Sequence, residues 1–136
     1  MPDRGIYVLD TSALLALRGD ESGADRVEAL IAKGRRGRAT LLVSFITRME
    51  LLYRIWREEG EYEARNAVRL VDSFGVRWVT CEPEILEVAS SLKALGALSL
   101  ADSWIGATAV TRKAILIHKD PEFVKFKEIQ QEFVRR

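Results

Sequence analysis

The stretch YVLDTSALLAL, Tyr7–Leu17, decides the fold. Tyr7, Val8 and Leu9 read as the end of a strand, and Leu14, Leu15 and Leu17 as the apolar face of a helix. Between them stand a carboxylate, Asp10, and two hydroxyl residues, Thr11 and Ser12. In an open α/β sheet such a joint, at the carboxyl end of a strand, is where ligands bind. The same residues also suit a helix N-cap, so Asp10 alone permits either reading.

Working outward, strands and helices alternate. Ile6–Leu9 is strand one, and a short helix starts near Ser12. SGADRVEALIAKG has apolar residues at Ala24, Val27, Leu30 and Ile31, a helical spacing that Gly34 closes. ATLLVS reads as strand two. FITRMELLYRIWREEG carries Ile46, Met49, Leu52, Tyr53 and Trp56 on one stripe and ends at Gly60; EYEARNAVRLVDSFG is a second long helix closed by Gly75. VRWVT is strand three. PEILEVASSLKAL begins a helix with Pro83 in its first turn, and SLADSWIGATAVTRK is another. AILIH is strand four, DPEFVKF a short helical turn and KEIQQEFV a last edge strand. This alternation argues for a parallel sheet covered on both faces.

Composition narrows the function. The 136 residues suit one domain, 1–136, and 48% hydrophobic content supports a packed core. No apolar run approaches the roughly 20 residues of a membrane span. MPDRGIYVLD lacks the pattern of a secretory signal, so a cytoplasmic location and no membrane partner are expected. Cys81 is the sole cysteine and His118 the sole histidine. An internal disulfide is thereby excluded, as is a structural zinc site built by one chain. Cys81 is expected to be buried, since a Cys81–His118 nucleophile pair has no feature joining it. Net charge is +1, yet AKGRRGRA, Ala32–Ala39, holds four cations and no acid, and Arg48, Arg54, Arg57, Arg65 and Arg69 follow. Such runs are solvated surface or contacts for a nucleic-acid backbone.

Three acids besides Asp10 stand out. Glu50 stacks with Ile46 and Tyr53 at the margin of the apolar stripe. Asp102 sits three residues after Ser99, as in a capping box. Asp120 follows strand four and precedes Pro121, as an N-cap does. Each has a structural explanation singly. Together, Asp10 and Asp120 belong to one edge of a parallel sheet, a helix start near it can present Asp102, and a helix across the sheet can bring Glu50. Four close carboxylates repel one another unless some take up protons or a cation intervenes. All-oxygen ligation favours magnesium or manganese.

In YVLDTSALLAL, SFITRMELLYRI, LSLADSWIGATA and LIHKDPEF, in that order and covering nearly the whole chain, the sequence resembles the PIN-domain family, and within it the VapC-type toxins of toxin–antitoxin pairs. The resemblance implies a three-layer α/β sandwich with a central, mostly parallel sheet of about four to five strands flanked by helices. It implies a metal-dependent ribonuclease using Mg2+ or Mn2+. Its acidic, metal-holding and catalytic residues would be Asp10, Glu50, Asp102 and Asp120, with Ser12 the hydroxyl beside the first. It further implies an RNA substrate, a homodimer and a VapB-type antitoxin carrying a basic residue to the site.

Removing the four site acids from a net charge of +1 leaves the remainder at +5, which suits a polyanion. Many relatives carry Thr or Ser two residues before the last Asp and another Asp two residues after it; here these positions are His118 and Glu122. His118 is expected to end its strand and bond a backbone carbonyl, or else to place a titratable ring by the site. Three other readings compete. An RNA-processing PIN nuclease needs no antitoxin, and a PIN-like scaffold binds without catalysis. A phospho-acceptor receiver domain would need an Asp after a central strand, where VRWVTCEPE offers only Glu82. Tyr53, Trp56, Tyr62 and Leu70 lie on the two long helices, where one sheet face covers one stripe of each; the uncovered ones would form a contact patch.

Overall fold

A computed structural model describes residues 5–135. It contains β1 (Gly5–Leu9), α1 (Thr11–Arg18), α2 (Ala24–Arg35), β2 (Ala39–Ser44), α3 (Phe45–Glu59), α4 (Glu61–Asp72), β3 (Arg77–Val79), α5 (Pro83–Leu95), α6 (Leu100–Thr111), β4 (Ile115–His118), a 3₁₀ turn (Pro121–Lys125) and β5 (Gln131–Phe133). The five strands lie in the order β3-β2-β1-β4-β5, and every neighbouring pair is parallel. From β1 the chain steps outward through β2 and β3, then returns to β4 on the other side. The order therefore reverses between β1 and β4, which opens a crevice above their carboxyl ends.

Strand side chains alternate between two packed faces. Tyr7 and Leu9, Leu41 and Val43, and Ile117 join Leu14, Leu30, Leu51 and Val68 of α1–α4. Val8, Leu42 and Leu116 join Ile85, Leu92 and Ile105 of α5 and α6, with Phe123. A strand buried on both faces reads as an unbroken apolar run, which is why YVL, LLV and ILI stand out in the sequence. The edge strand expected in KEIQQEFV is β5, paired to β4.

Two local expectations are corrected. Gly34 does not close α2. The helix continues to Arg35 and the chain turns at Gly37, whose φ of 72° supplies the left-handed conformation. At Gly34 a Cβ would stand 3.2 Å from Leu41 Cδ1, so its smallness serves the approach of α2 to β2. The second correction concerns α3. Its buried stripe is Thr47, Leu51 and Ile55, whereas Met49 and Trp56 are 60% and 44% exposed. Of the large apolar residues that mark the helix, Ile46 and Leu52 are partly buried against the core, and Met49, Tyr53 and Trp56 face away from it. Leu51→Ala is accordingly expected to cost about 2–5 kcal/mol in urea unfolding, and Trp56→Ala no more than about 1 kcal/mol.

All four residues named for a contact patch, Tyr53, Trp56, Tyr62 and Leu70, are exposed. Gly60, with φ 98°, breaks the chain between α3 and α4 and lets the two helices pack as a hairpin. Arg57 lies over the Tyr53 ring at 5.1 Å and Arg65 over the Trp56 ring at 5.6 Å. None of the described helices is long and apolar enough to cross a membrane.

Candidate active site

Asp10 closes β1 and caps α1. Its amide donates to Ile117 O at 2.9 Å, tying β1 to β4 at the crevice. Its Oδ2 accepts the Ser12 N–H at 3.0 Å and a short bond from the Ser12 hydroxyl. The Ser12 oxygen in turn accepts the Lys119 N–H at 2.8 Å, which links α1 to the segment after β4. The cap reading of Asp10 is thus correct for one oxygen. The other, Oδ1, is buried and has no hydrogen-bond partner among the described residues. A buried, unpartnered carboxylate oxygen is costly, and it distinguishes Asp10 from a residue that only caps.

The other three acids are brought toward it. Glu50, half-buried on α3, accepts the Thr11 hydroxyl at 2.7 Å. The Thr11 and Thr47 hydroxyl oxygens lie 3.0 Å apart, both in buried residues. Thr11 has one proton and gives it to Glu50, so Thr47 supplies the proton between the two hydroxyls. Asp102 stands in the first turn of α6, where its N–H donates to Ser99 Oγ at 3.1 Å. Ser99 is the cap expected, but among the described residues the Asp102 carboxyl makes no bond back to it; it turns to the acids. Asp120 caps the 3₁₀ turn by accepting the Glu122 N–H at 3.0 Å.

The electrostatics follow from this convergence. Burial pushes the Asp10 carboxyl up to about 6, and Glu50 and Asp120 add to the rise while the Ser12 bonds oppose it. Burial likewise lifts Asp102 to about 8, reinforced by the Asp10 charge and by the nearness of Asp120 and Glu50.

The donor set suits a hard divalent cation: carboxylate oxygens in mutual repulsion, one orphaned and buried. Among the described residues, however, no three acidic, His or Cys side chains close into a tight ligand set.

His118 ends β4 as expected, yet it does not bond a backbone carbonyl. It is fully buried, its Nδ1 faces the Asp120 N–H at 3.1 Å and its Nε2 faces Gln131 Oε1 at 2.9 Å. Burial lowers its pKa below the usual imidazole value, against smaller opposing effects of Gln131 and Asp120. Cys81 is exposed rather than buried. It follows β3, and two strands separate β3 from β4, a span of roughly 14 Å; no Cys–His pair forms.

The basic run Ala32–Ala39 ends α2 and precedes β2, at the amino ends of the strands. It lies across the sheet from the carboxylates, not beside them. Arg48 and Arg65 are engaged by Asp72 and Glu61 at 3.2 and 2.8 Å.

The PIN domain family pattern matches residues 7–129. The chain belongs to the PIN domain family. The matched span holds all four acids, and the five-stranded, all-parallel sheet of this PIN chain bears out the mostly parallel sheet of four to five strands expected. No curated protein matches it in sequence. Among solved structures it is similar to VapBC2 of Rickettsia felis bound to a DNA fragment from its promoter, at 19% identity over 93% of this chain and 97% of that one, with a TM-score of 0.72. It is similar to DNA-bound VapBC of Salmonella typhimurium, at 16% identity, 94% and 97% coverage and a TM-score of 0.74. It also resembles VapC20 of Mycobacterium tuberculosis, a sarcin-ricin loop cleaving toxin, at 17% identity, 96% and 99% coverage and a TM-score of 0.73. At these identities the likeness establishes the fold.

Proposed function

We propose that this PIN chain is a metal-dependent endoribonuclease, the toxin of a VapBC-type pair, acting through Asp10, Glu50, Asp102 and Asp120. The observation that carries the reading is the orphaned Oδ1 of Asp10, buried at the β1/β4 crevice within the field of the other three acids. A bound magnesium or manganese ion would activate a water and neutralise charge on the scissile phosphate. Asp10 and Asp102 would hold it, directly or through waters, with Glu50 and Asp120 completing the set. Ser12 holds Asp10 in one rotamer, and Thr11 does the same for Glu50. Arg54, one turn beyond Glu50 on α3, is exposed and has no ion pair among the described residues, which suits contact with an RNA phosphate.

The purified chain is expected to cleave single-stranded RNA with magnesium or manganese and to stop when a chelator is added. Cleavage that persists in chelator, once contaminating nuclease is excluded, would overturn the mechanism.

An antitoxin partner is favoured over a solitary processing enzyme or a non-catalytic scaffold by the surface. An apolar cavity of about 450 Å3 lies among α1–α4, lined by Leu14, Leu17, Ile31, Leu51, Leu70 and Phe74, with Arg18, Glu28 and Arg35 also on its walls. Its size and chemistry suit an amphipathic segment. The exposed Met49, Tyr53 and Trp56 would bury themselves in a homodimer. Light scattering at micromolar concentration is expected to give a dimer mass that falls toward the monomer in Trp56→Ala; a strictly monomeric parent would refute it.

A further inference from the structure

We propose that His118 is a positioning residue for Asp120, holding the backbone of the fourth acid in place through a fixed neutral tautomer. The inference rests on reading the acidic cluster as a metal site. The tautomer is determined from both ends of the ring. The Gln131 amide nitrogen donates to the carbonyls of Phe123, Phe126 and Ile129, at 2.8, 3.1 and 3.2 Å. Its amide is therefore oriented with Oε1 toward the imidazole, and Oε1 can only accept. Nε2 of His118 must then carry the proton, at 2.9 Å from Oε1. At the other end the Asp120 N–H points at Nδ1 from 3.1 Å, and an N–H requires an acceptor there. Both demands are met by the same neutral ring, protonated on Nε2 alone.

The ring itself cannot turn away. It has no exposed surface and meets Phe123 and Phe133 edge-on, with centroids 5.0 and 5.4 Å apart. Through Gln131, the edge strand β5 thus sets the imidazole, and the imidazole sets the Asp120 amide. The Asp120 carboxyl is held separately by the Glu122 N–H at 3.0 Å. Without an acceptor at Nδ1 the amide loses its partner, and the turn carrying Asp120 keeps the Glu122 N–H, the Phe123 N–H on the Asp120 carbonyl and the Lys119 N–H on Ser12 but loses the restraint on its backbone N–H. Groups that orient metal-holding side chains typically change metal affinity 10- to 100-fold when removed.

Because His118 is the sole histidine, its ring nitrogens can be read without ambiguity by 15N NMR. The parent at neutral pH is expected to show Nδ1 unprotonated and Nε2 protonated; a protonated Nδ1 would overturn the inference without any variant. His118→Asn keeps an acceptor near the Nδ1 position but loses the reach to Gln131. His118→Gln keeps that reach but offers no acceptor at the Nδ1 position. Hydrogen exchange of the Asp120 amide in chelator should remain slow in His118→Asn and become fast in His118→Gln. Manganese affinity, followed by electron paramagnetic resonance, should stay within about 3-fold of the parent in His118→Asn and fall about 10- to 100-fold in His118→Gln. Losses that track thermal stability in both variants, with no contrast between them, would reduce His118 to a packing residue. A parent that binds no manganese would overturn the metal reading, while Asp120 amide exchange still decides the positioning role.

Discussion

Asp10→Asn is expected to remove metal-dependent RNA cleavage by at least about a thousandfold, roughly 4 kcal/mol of transition-state stabilisation, while leaving the metal-free protein as stable as the parent or more so. The two effects have opposite signs because Asp10 is 2% exposed and its carboxylate is opposed by burial and by neighbouring acids. A rise from 3.8 to about 6 corresponds to roughly 3 kcal/mol of native stability lost when Asp10 is ionised. Asn removes that charge and is as good an N-cap, so the Ser12 N–H keeps its acceptor. Its amide N–H groups, in place of the orphaned Oδ1, face carboxylates that accept hydrogen bonds. Thermal unfolding in chelator at pH 8 should therefore rise by several degrees. A fall in Tm of the variant in chelator would mean that the bonds to Ser12 outweigh the repulsion, and that Asp10 is chiefly a cap.

The four acids differ in how visible they are in the sequence. Asp10 and Asp120 were legible because each follows a strand buried on both faces, and such strands are apolar runs that stop abruptly on a carboxylate. Asp102 was legible as the third residue after Ser99, although its capping partner obscured where its carboxyl turns. Glu50 was visible only as an acid at the margin of an apolar stripe, and that stripe proved to be only partly covered, with Ile46 and Leu52 packed on the core and Met49, Tyr53 and Trp56 exposed. Large side chains such as Met49 and Trp56 dominate a helical wheel, whereas the small Thr47 shares the true inner face with Leu51 and Ile55.

The hydroxyl contact that holds Glu50 was missed altogether. Thr11 and Thr47 are 36 positions apart, and no local pattern pairs them. The available signal was modest: Thr11 adjoins Asp10, and Thr47 precedes Glu50 by three residues, on the same helical face. His118 could not be interpreted from β4 alone, since its tautomer depends on Gln131 in a different strand.

The pH dependence of stability should separate the acids from the histidine. Asp10 and Asp102 have folded pKa values above the unfolded one, so between about pH 4 and their folded values the native state holds more protons than the unfolded state. Stability of the metal-free chain therefore falls with rising pH, through about 6 for Asp10 and about 8 for Asp102. His118 is shifted down, so its contribution has the opposite sign: stability falls as pH drops below 6.5. The two overlap at acidic pH; at 6.5 the unfolded histidine is still half protonated and offsets about 0.4 kcal/mol, but towards pH 8 it is neutral in both states and Asp102 dominates. Full burial would make that interval worth about 2 kcal/mol; the partial exposure of Asp102 reduces the expectation to about 1 kcal/mol. Urea unfolding in chelator should show this decline, and Asp102→Asn should flatten it. Saturating manganese should reverse the slope, because bound metal favours the ionised carboxylates and its binding releases their protons. A parent whose stability in chelator is level from pH 6.5 to 8, or an Asp102→Asn variant with an unchanged slope, would show that Asp102 is already ionised and that the acids do not share one field.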